Sequence, residues 1–177
     1  MQNNPMHSCS RSLLNGVSGQ KYGWIRMFYK RVLHKPLGKI LLEKGIITSE
    51  QLGEVLTIRE KEKGLTGEIL IRKGYATEED IMFALMSQYE IPYFPLKNYQ
   101  LDFELFMNFP VFGMEKYEFV PVEQIESMVS IVTSNPLSEK LIEYIKEEAT
   151  LDAVAFISTP SEIKEVLRRY KEQYGLA

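Results

Sequence analysis

A short pattern occurs twice in the first half of this chain, and it limits the folds that the sequence can adopt. Residues 37–45, LGKILLEKG, return as residues 66–74, TGEILIRKG, at an offset of 29 positions. The agreement continues downstream, for example from Thr48 to Thr77. Self-similarity at a fixed period indicates one supersecondary unit used twice. The sequence therefore predicts two copies of a helical hairpin.

Local signals define the hairpin. Leu37, Ile40 and Leu41 have the spacing of an apolar helical stripe. Gly45 follows where a left-handed C-terminal cap is expected. Thr48 then opens a longer helix, with Gln51 completing a capping box. Because the second copy repeats these signals, we predict that the two hairpins close into a four-helix unit.

Each long helix is expected to end its apolar stripe with a long polar side chain. In the first copy Leu52 and Leu56 lead to Arg59, and in the second copy Leu85 leads to Gln88. The spacing predicts that Arg59 and Gln88 both point toward the interior.

The second half of the chain changes pattern after residues 91–95, IPYFP, because each proline disfavours helical geometry in the residue before it. We predict short helices at 103–108 and 113–117, strands at 119–122 and 128–133 with a turn at 123–126, a helix at 138–148, a strand at 153–158 and a final helix after residue 159. Half of the aromatic residues fall between positions 89 and 119 and are interpreted as a seam between two subdomains. Strands alternating with helices favour a small α/β sandwich. The predicted class is α+β, a helical subdomain of two tandem hairpin repeats followed by this sandwich.

Charge is distributed unevenly. The net charge is −3, but residues 1–35 contain six basic residues and no acidic one, so the remainder carries −9. Residues 1–20 are predicted to be a mobile arm, and residues 22–33 a basic amphipathic helix. That helix either docks on an anionic lipid or acidic partner, or packs on the acidic body of its own fold. The predicted divisions are 1–35, the arm with this helix; 36–92, the repeats; and 93–177, the α/β part.

Several function classes find no support in the sequence. No apolar run approaches the length of a membrane span. The single cysteine, Cys9, has no intramolecular partner, which fits a reducing cytoplasm. His7 and His34 lack companions at metal-binding spacing, so no metal site is predicted. The sequence contains no phosphate-binding loop of the Gly-x-x-x-x-Gly-Lys-Ser/Thr type and no nucleophile with a recognisable base partner. The acidic residues 78–80 are interpreted as offsetting the macrodipole of the helix that they begin. We predict a chain without enzymatic activity and without nucleic-acid binding.

The order of several short motifs resembles a known family. The doubled Gly-x-x-Leu-x-x-x-Gly pattern is followed by Ile-Pro-Tyr, Val-Pro-Val, Ser-Asn-Pro and Thr-Pro-Ser-Glu-Ile. Together these motifs resemble the N-terminal domain of type II secretion and type IV pilus assembly ATPases, including the MshEN-type domain. The resemblance covers residues 36–174 and implies a helical part joined to an α/β part.

That family resemblance implies two functions. One is a cytoplasmic docking and regulatory module, peripheral at the inner membrane, that ties an ATPase motor to an inner-membrane platform or assembly protein. The other is a cyclic di-GMP receptor in which the two repeats bind the ligand together, without any other cofactor. A structural spacer between motor and anchor is a third interpretation.

The nucleotide-binding pattern implied by the family can be placed residue by residue. Each repeat there begins Arg-Leu-Gly and ends Leu-x-x-Gln. The positions that correspond here are Leu37, Gly38, Leu41, Gly45, Leu52, Leu56 and Arg59 in the first repeat, and Gly67, Leu70, Gly74, Leu85 and Gln88 in the second. Pro36 and Leu65 stand where the opening arginines are expected, Thr66 replaces the following leucine, and Arg59 replaces the first glutamine. Because both arginines are missing, docking is preferred over nucleotide binding.

Overall fold

The computed structural model of the protein describes residues 35–136 and 138–176. The predicted arm and basic amphipathic helix, at residues 1–20 and 22–33, lie outside the described residues.

Four helices form the first part, which we call the helical unit. They are α1 (Leu37–Glu43), α2 (Ser49–Glu62), α3 (Thr66–Arg72) and α4 (Glu78–Tyr89). Helix α1 packs on α4, α2 packs on α3, and α1 also contacts α2 and α3. Each short helix thus packs on the long helix of the other copy, so the two hairpins are interleaved.

Capping boxes start both long helices, as the sequence predicts. The Thr48 hydroxyl accepts from the Gln51 amide at 3.2 Å, while Gln51 Oε1 accepts from the Thr48 amide at 2.9 Å. The second copy uses Thr77 and Asp80, at 3.1 Å and 2.9 Å. These side chains satisfy amide groups that a helix start leaves without partners.

Glycines end both short helices. Gly45 has a φ of 69° and Gly74 a φ of 70°, a conformation that side chains disfavour. In the first copy the amides of Gly45 and Ile46 donate to the carbonyls of Leu42 and Leu41, both at 3.0 Å. This paired arrangement is a Schellman motif, and it recurs at Gly74.

The remaining residues form a second body, the α/β unit. It contains 3₁₀ turns at Leu96–Asn98 and Leu105–Asn108, then α5 (Val111–Lys116), β1 (Phe119–Ile125), β2 (Met128–Thr133), α6 (Glu139–Ala149), β3 (Asp152–Ile157) and α7 (Pro160–Tyr174). The sheet order is β1-β2-β3. Strands β1 and β2 pair antiparallel, and β2 and β3 pair parallel across the α6 connection. The predicted α+β class is confirmed.

The turn predicted at residues 123–126 is wrong. Strand β1 continues to Ile125, which pairs with Met128. A register shift between Pro121 and Glu123 interrupts the pairing without ending the strand. Such an irregularity lets a polar segment remain in the ladder, so polarity alone misplaced the turn.

The interpretation of the aromatic residues as a seam is also wrong for the phenylalanines that are buried in the α/β unit. Phe103, Phe106, Phe109 and Phe119 are buried inside the α/β unit. Phe106 lies with its ring centroid 5.0 Å from that of Tyr170 on α7. These four rings therefore fill the interior beside the sheet. The helical unit has its own separate hydrophobic cluster.

Candidate functional site

The glycines that open the two short helices lie where other side chains leave no room. A Cβ on Gly38 would be 2.5 Å from Leu52 Cδ1. A Cβ on Gly67 would be 3.0 Å from Ile81 Cγ2 and 3.6 Å from Leu37 Cδ2. Leu52 and Ile81 occupy equivalent positions of the two repeats, so the same close approach occurs twice. Packing of each short helix on the helix that follows it is sufficient to require glycine.

Most of the predicted leucines are core residues. Five of the six pack in the hydrophobic cluster of the helical unit, namely Leu37, Leu41, Leu52, Leu70 and Leu85. The sixth, Leu56, is 39% exposed. The structure therefore brings five of the six leucines together, as the interior of the helical unit rather than as the lining of a cavity.

The two polar residues predicted to point inward have different environments. Gln88 is buried, with 8% of its surface exposed. Arg59 is exposed, so the prediction that its side chain points toward the interior is wrong. Helix α4 leads directly into the segment where Tyr93 bridges to Ile157 of β3, whereas α2 ends in a run of charged residues.

The Arg59 side chain instead reaches the opening of the second repeat. Its Nη1 donates a hydrogen bond to Thr66 Oγ1 at 3.2 Å. Thr66 is the first residue of α3, immediately after Leu65, where the family pattern places an arginine. A guanidinium from α2 thus lies beside the start of α3, where amide groups are free to attract anions.

An exposed ion pair connects α2 to the C-terminal end of α3. Lys73 Nζ lies 2.6 Å from Glu54 Oε1, and the Tyr75 hydroxyl donates to Glu54 Oε2 at 2.5 Å. The hydrogen bond from Lys73, followed by that from Tyr75, lowers the pKa of the Glu54 carboxyl. The same contact raises the pKa of Lys73.

Polar side chains form contacts at the junction between the two units. Glu78 on α4 accepts hydrogen bonds from the amide and the hydroxyl of Ser161 on α7, at 3.0 Å and 2.9 Å. Nearby, the buried Glu162 carboxylate accepts from the Ser158 hydroxyl at 2.6 Å and from the Tyr93 hydroxyl at 3.1 Å. Burial, followed by the bond to Glu162, raises the pKa of Tyr93.

Two surface clefts accompany these elements. One, of about 540 Å³, lies between α5 and α7, where Lys171 pairs with Glu115 at 3.1 Å. The other, of about 260 Å³, lies at the junction. Neither cleft is lined by any of the twelve residues predicted from the repeats.

The described part of the chain offers neither a metal-binding cluster nor a membrane-spanning helix. Within residues 35–136 and 138–176, no group of three or more His, Cys, Asp or Glu side chains is placed to hold a metal ion. None of the helices in these ranges combines the length and apolar character needed to cross a bilayer. Cys9, His7 and His34 lie outside the described residues.

The α/β unit is similar to a known domain family. Residues 89–175 match the family model of the MshEN domain. The family resemblance predicted from the sequence is confirmed. The matched region starts at the end of α4, after the tandem repeats.

Solved structures extend the likeness to the helical unit. The structure of MshE with cdg, cyclic di-GMP, has a TM-score of 0.66 at 20% identity, covering 77% of this chain and 99% of that one. The N-terminal domain of XpsE has a TM-score of 0.61 at 12% identity, covering 85% of this chain and 98% of that domain. At these identities the likeness establishes the fold.

Two relatives by sequence are type IV pilus assembly ATPases. The type IV pilus assembly ATPase PilB of Myxococcus xanthus is 22% identical over 139 residues, which are 78% of this chain and 25% of that protein. PilB of Thermus thermophilus is 22% identical over 144 residues, 80% of this chain and 16% of that protein. The chain therefore spans a quarter or less of these relatives.

Sequence reasoning missed three residues that the structure makes prominent. Thr66 receives the Arg59 hydrogen bond, and Glu78 and Ser161 form the contact across the junction. Glu78 was predicted only to offset the dipole of its own helix. The Thr-Pro-Ser-Glu motif signals a helix start, but nothing local indicates which distant acidic residue will reach its amides.

Proposed function

We propose that this chain is a non-catalytic regulatory and protein-docking domain that links an assembly ATPase motor to its inner-membrane platform on the cytoplasmic side. The observation that carries the proposal is the extent of the fold likeness. Nearly all of the MshE structure and of the XpsE N-terminal domain is covered by this chain. The pilus ATPases, in contrast, are matched over a small fraction of their length. A domain of this size, outside the motor, is suited to connecting and regulating it.

The surface of the helical unit supports a docking role. Leu56, Leu65 and Phe83 are large apolar side chains that are 39%, 51% and 52% exposed. Apolar anchors of this kind contribute much of the binding energy where they enter a partner's pocket. The proposed docking surface is this helical unit, with the α/β unit as its support.

The test uses a purified inner-membrane platform protein of the same secretion or pilus system, with its cytoplasmic segment immobilised. Phe83→Ser and Leu65→Ser should each weaken binding at least about tenfold, as expected for an anchor at an interface centre. Phe112→Ser is the matched control, because Phe112 is 74% exposed but lies on the α/β unit. No binding by the unaltered chain, or equal losses in all three variants, would refute docking through the helical unit.

Cyclic di-GMP binding by the two repeats is a second candidate function. It is favoured by one observation, the position of the Arg59 guanidinium beside the start of α3. There the guanidinium is placed to interact with a phosphate or to stack on a purine, in the region where the opening arginine is missing. MshE, whose fold this chain shares, is known in a structure with this ligand.

Calorimetric titration with cyclic di-GMP, with GTP and ATP as control ligands, tests this second candidate. Receptor function requires saturable binding that Arg59→Ala abolishes and Arg72→Ala leaves intact. Arg72 is the matched control because it is also exposed on the helical unit, where it pairs with Glu62. Absence of heat at high ligand concentration would leave the repeats as a scaffold. Gly38→Ala is a poor probe, since its effect on packing would obscure any effect on the ligand.

A further inference from the structure

The helical and α/β units meet without a shared interior. Their two hydrophobic clusters have no residue in common. Each unit therefore has its own interior, and an interface between two such bodies of one chain commonly permits a change in their relative orientation. The contacts at the junction then decide which orientation is held.

Glu78 is placed to provide a specific contact there. It belongs to the first turn of α4, and its carboxylate accepts from both the amide and the hydroxyl of Ser161. The Ser161 amide is at the start of α7, where amides have no acceptor within the helix. The positive end of the α7 dipole further favours a carboxylate at this position.

The capping of α7 is thus divided between the two units. Thr159, the residue before α7, accepts from the Glu162 amide at 3.3 Å and supplies the cap from within the α/β unit. Glu78 supplies the acceptor for Ser161 from the helical unit. Met82 lies one turn beyond Glu78 on the same face of α4 and is 5% exposed, yet it belongs to neither cluster.

Neighbouring charges make the contact sensitive to added negative charge. The cleft beside it is lined by Glu78, Glu79, Glu162 and Glu165, with Lys97 as the cation among its lining residues. A further negative group on Ser161 would face like charges from both units. The same surroundings that tolerate a neutral serine would repel a charged one.

We infer that the Glu78–Ser161 contact is a latch that fixes the orientation of the helical unit on the α/β unit, and that negative charge at Ser161 opens it. This inference goes beyond the proposed function, because it concerns how a signal at one unit reaches the other. It does not depend on which partner or ligand binds.

The test measures the latch and the orientation separately. Amide hydrogen exchange at Ser161 reports the hydrogen bond directly. Spin labels on Lys61→Cys and Glu147→Cys, in a Cys9→Ser background, report the distance between α2 and α6 by pulsed electron resonance. Both labelled positions are exposed.

Glu78→Ala should accelerate exchange of the Ser161 amide about tenfold or more, as expected when a charge-assisted hydrogen bond is lost. The distance distribution should broaden. Ser161→Asp should broaden it too, through repulsion. Glu79→Ala is the matched control, since Glu79 is the adjacent exposed carboxylate, and it should leave both readings unchanged.

A distance distribution in Glu78→Ala and Ser161→Asp that equals the unaltered one would overturn the latch. Equal broadening of the distance distribution in Glu79→Ala would overturn the latch as well, because the broadening would then result from the loss of local charge and not from the loss of the Glu78–Ser161 contact. Circular dichroism of each variant establishes that the units remain folded, and Ser161→Asp provides the decision if Glu78→Ala unfolds. No partner is needed, so failure of the latch is distinguishable from failure of docking.

Discussion

Replacing Gly67 with alanine tests whether packing accounts for the glycines of the repeat pattern. The added Cβ would lie 3.0 Å from Ile81 Cγ2, a methyl group on a branched and stiff side chain. It would also contact Leu37 Cδ2 at 3.6 Å. The methyl group of Ile81 must therefore move, or α3 must shift away from α4.

The magnitude follows from two opposing effects. Alanine in a helix is more stable than glycine by about 0.5–1 kcal/mol, while inserting a methyl group into a packed contact costs about 1–3 kcal/mol. Gly67→Ala should therefore destabilise the helical unit by about 1 kcal/mol. A Cβ on Gly53, within α2, would meet no heavy atom of another described element within 4 Å, so Gly53→Ala should stabilise by about 0.5–1 kcal/mol.

Urea unfolding followed by circular dichroism measures both variants. The expected difference between them is about 2 kcal/mol, equivalent to about 6 °C in Tm for a chain of this size. Gly67→Ala that is as stable as Gly53→Ala would refute the packing explanation. Close approach of a ligand to the backbone would then become the better reason for the glycine.

Gly38→Ala should also destabilise the helical unit, but here the neighbouring side chain can move more easily. The clash is nearer, 2.5 Å, but it involves the terminal methyl group of Leu52. The Leu52 side chain can turn away from its rotamer minimum at a cost of about 0.5–1.5 kcal/mol, which limits the loss.

Three further predictions concern other parts of the molecule. Thr150, the C-terminal cap of α6, has a φ of 57°, so Thr150→Gly should raise the unfolding free energy by about 0.5–1 kcal/mol in urea titrations; a loss of stability would contradict this. A Cβ on Gly113 would lie 1.9 Å from the Tyr144 hydroxyl oxygen and 2.2 Å from its Cζ. Gly113→Ala should therefore destabilise the α/β unit by about 2–3 kcal/mol in the same urea titrations. A neutral result would show that the Tyr144 ring moves freely. Lys73 lowers the pKa of the Glu54 carboxyl in the folded protein. The stabilisation from this pair is therefore present above the pKa of the carboxyl in the unfolded chain and is lost as the pH falls through its pKa in the folded protein. Lys73→Ala should reduce the loss of stability at acid pH, and an unchanged dependence of stability on pH would contradict the pairing of Lys73 with Glu54.

Local signals in the sequence were sufficient for the helix boundaries of the repeats. A capping box depends on residues three positions apart, so Thr48 with Gln51 is legible without any knowledge of the fold. A positive φ at Gly45 and Gly74 follows equally from a local rule. The repeat itself supplied a second, independent instance of each signal.

Features that depend on distant segments were not predictable in this way. Arg59 and Gln88 hold the same position in the two repeats, yet one is exposed and the other buried. The two helices also continue differently, since α4 is followed by a segment that pairs with the sheet at Tyr93, whereas α2 ends in charged residues. Likewise, the sequence indicates that residues 103–119 are rich in aromatics, but not that their rings lie inside the α/β unit.

The positions at which this chain keeps the repeat pattern are largely those that the helical fold itself needs. Gly67 is required by a close helix contact, and Leu41 and Leu70 are fully buried. The positions at which it departs have no comparable packing role, since Pro36 is exposed and Leu65 is 51% exposed. A nucleotide receptor would need cations at those two helix openings, whereas a docking domain needs only the scaffold beneath them. This division of retained and altered positions supports docking over nucleotide binding, and it makes Arg59, the cation beside the second opening, the residue on which the alternative depends.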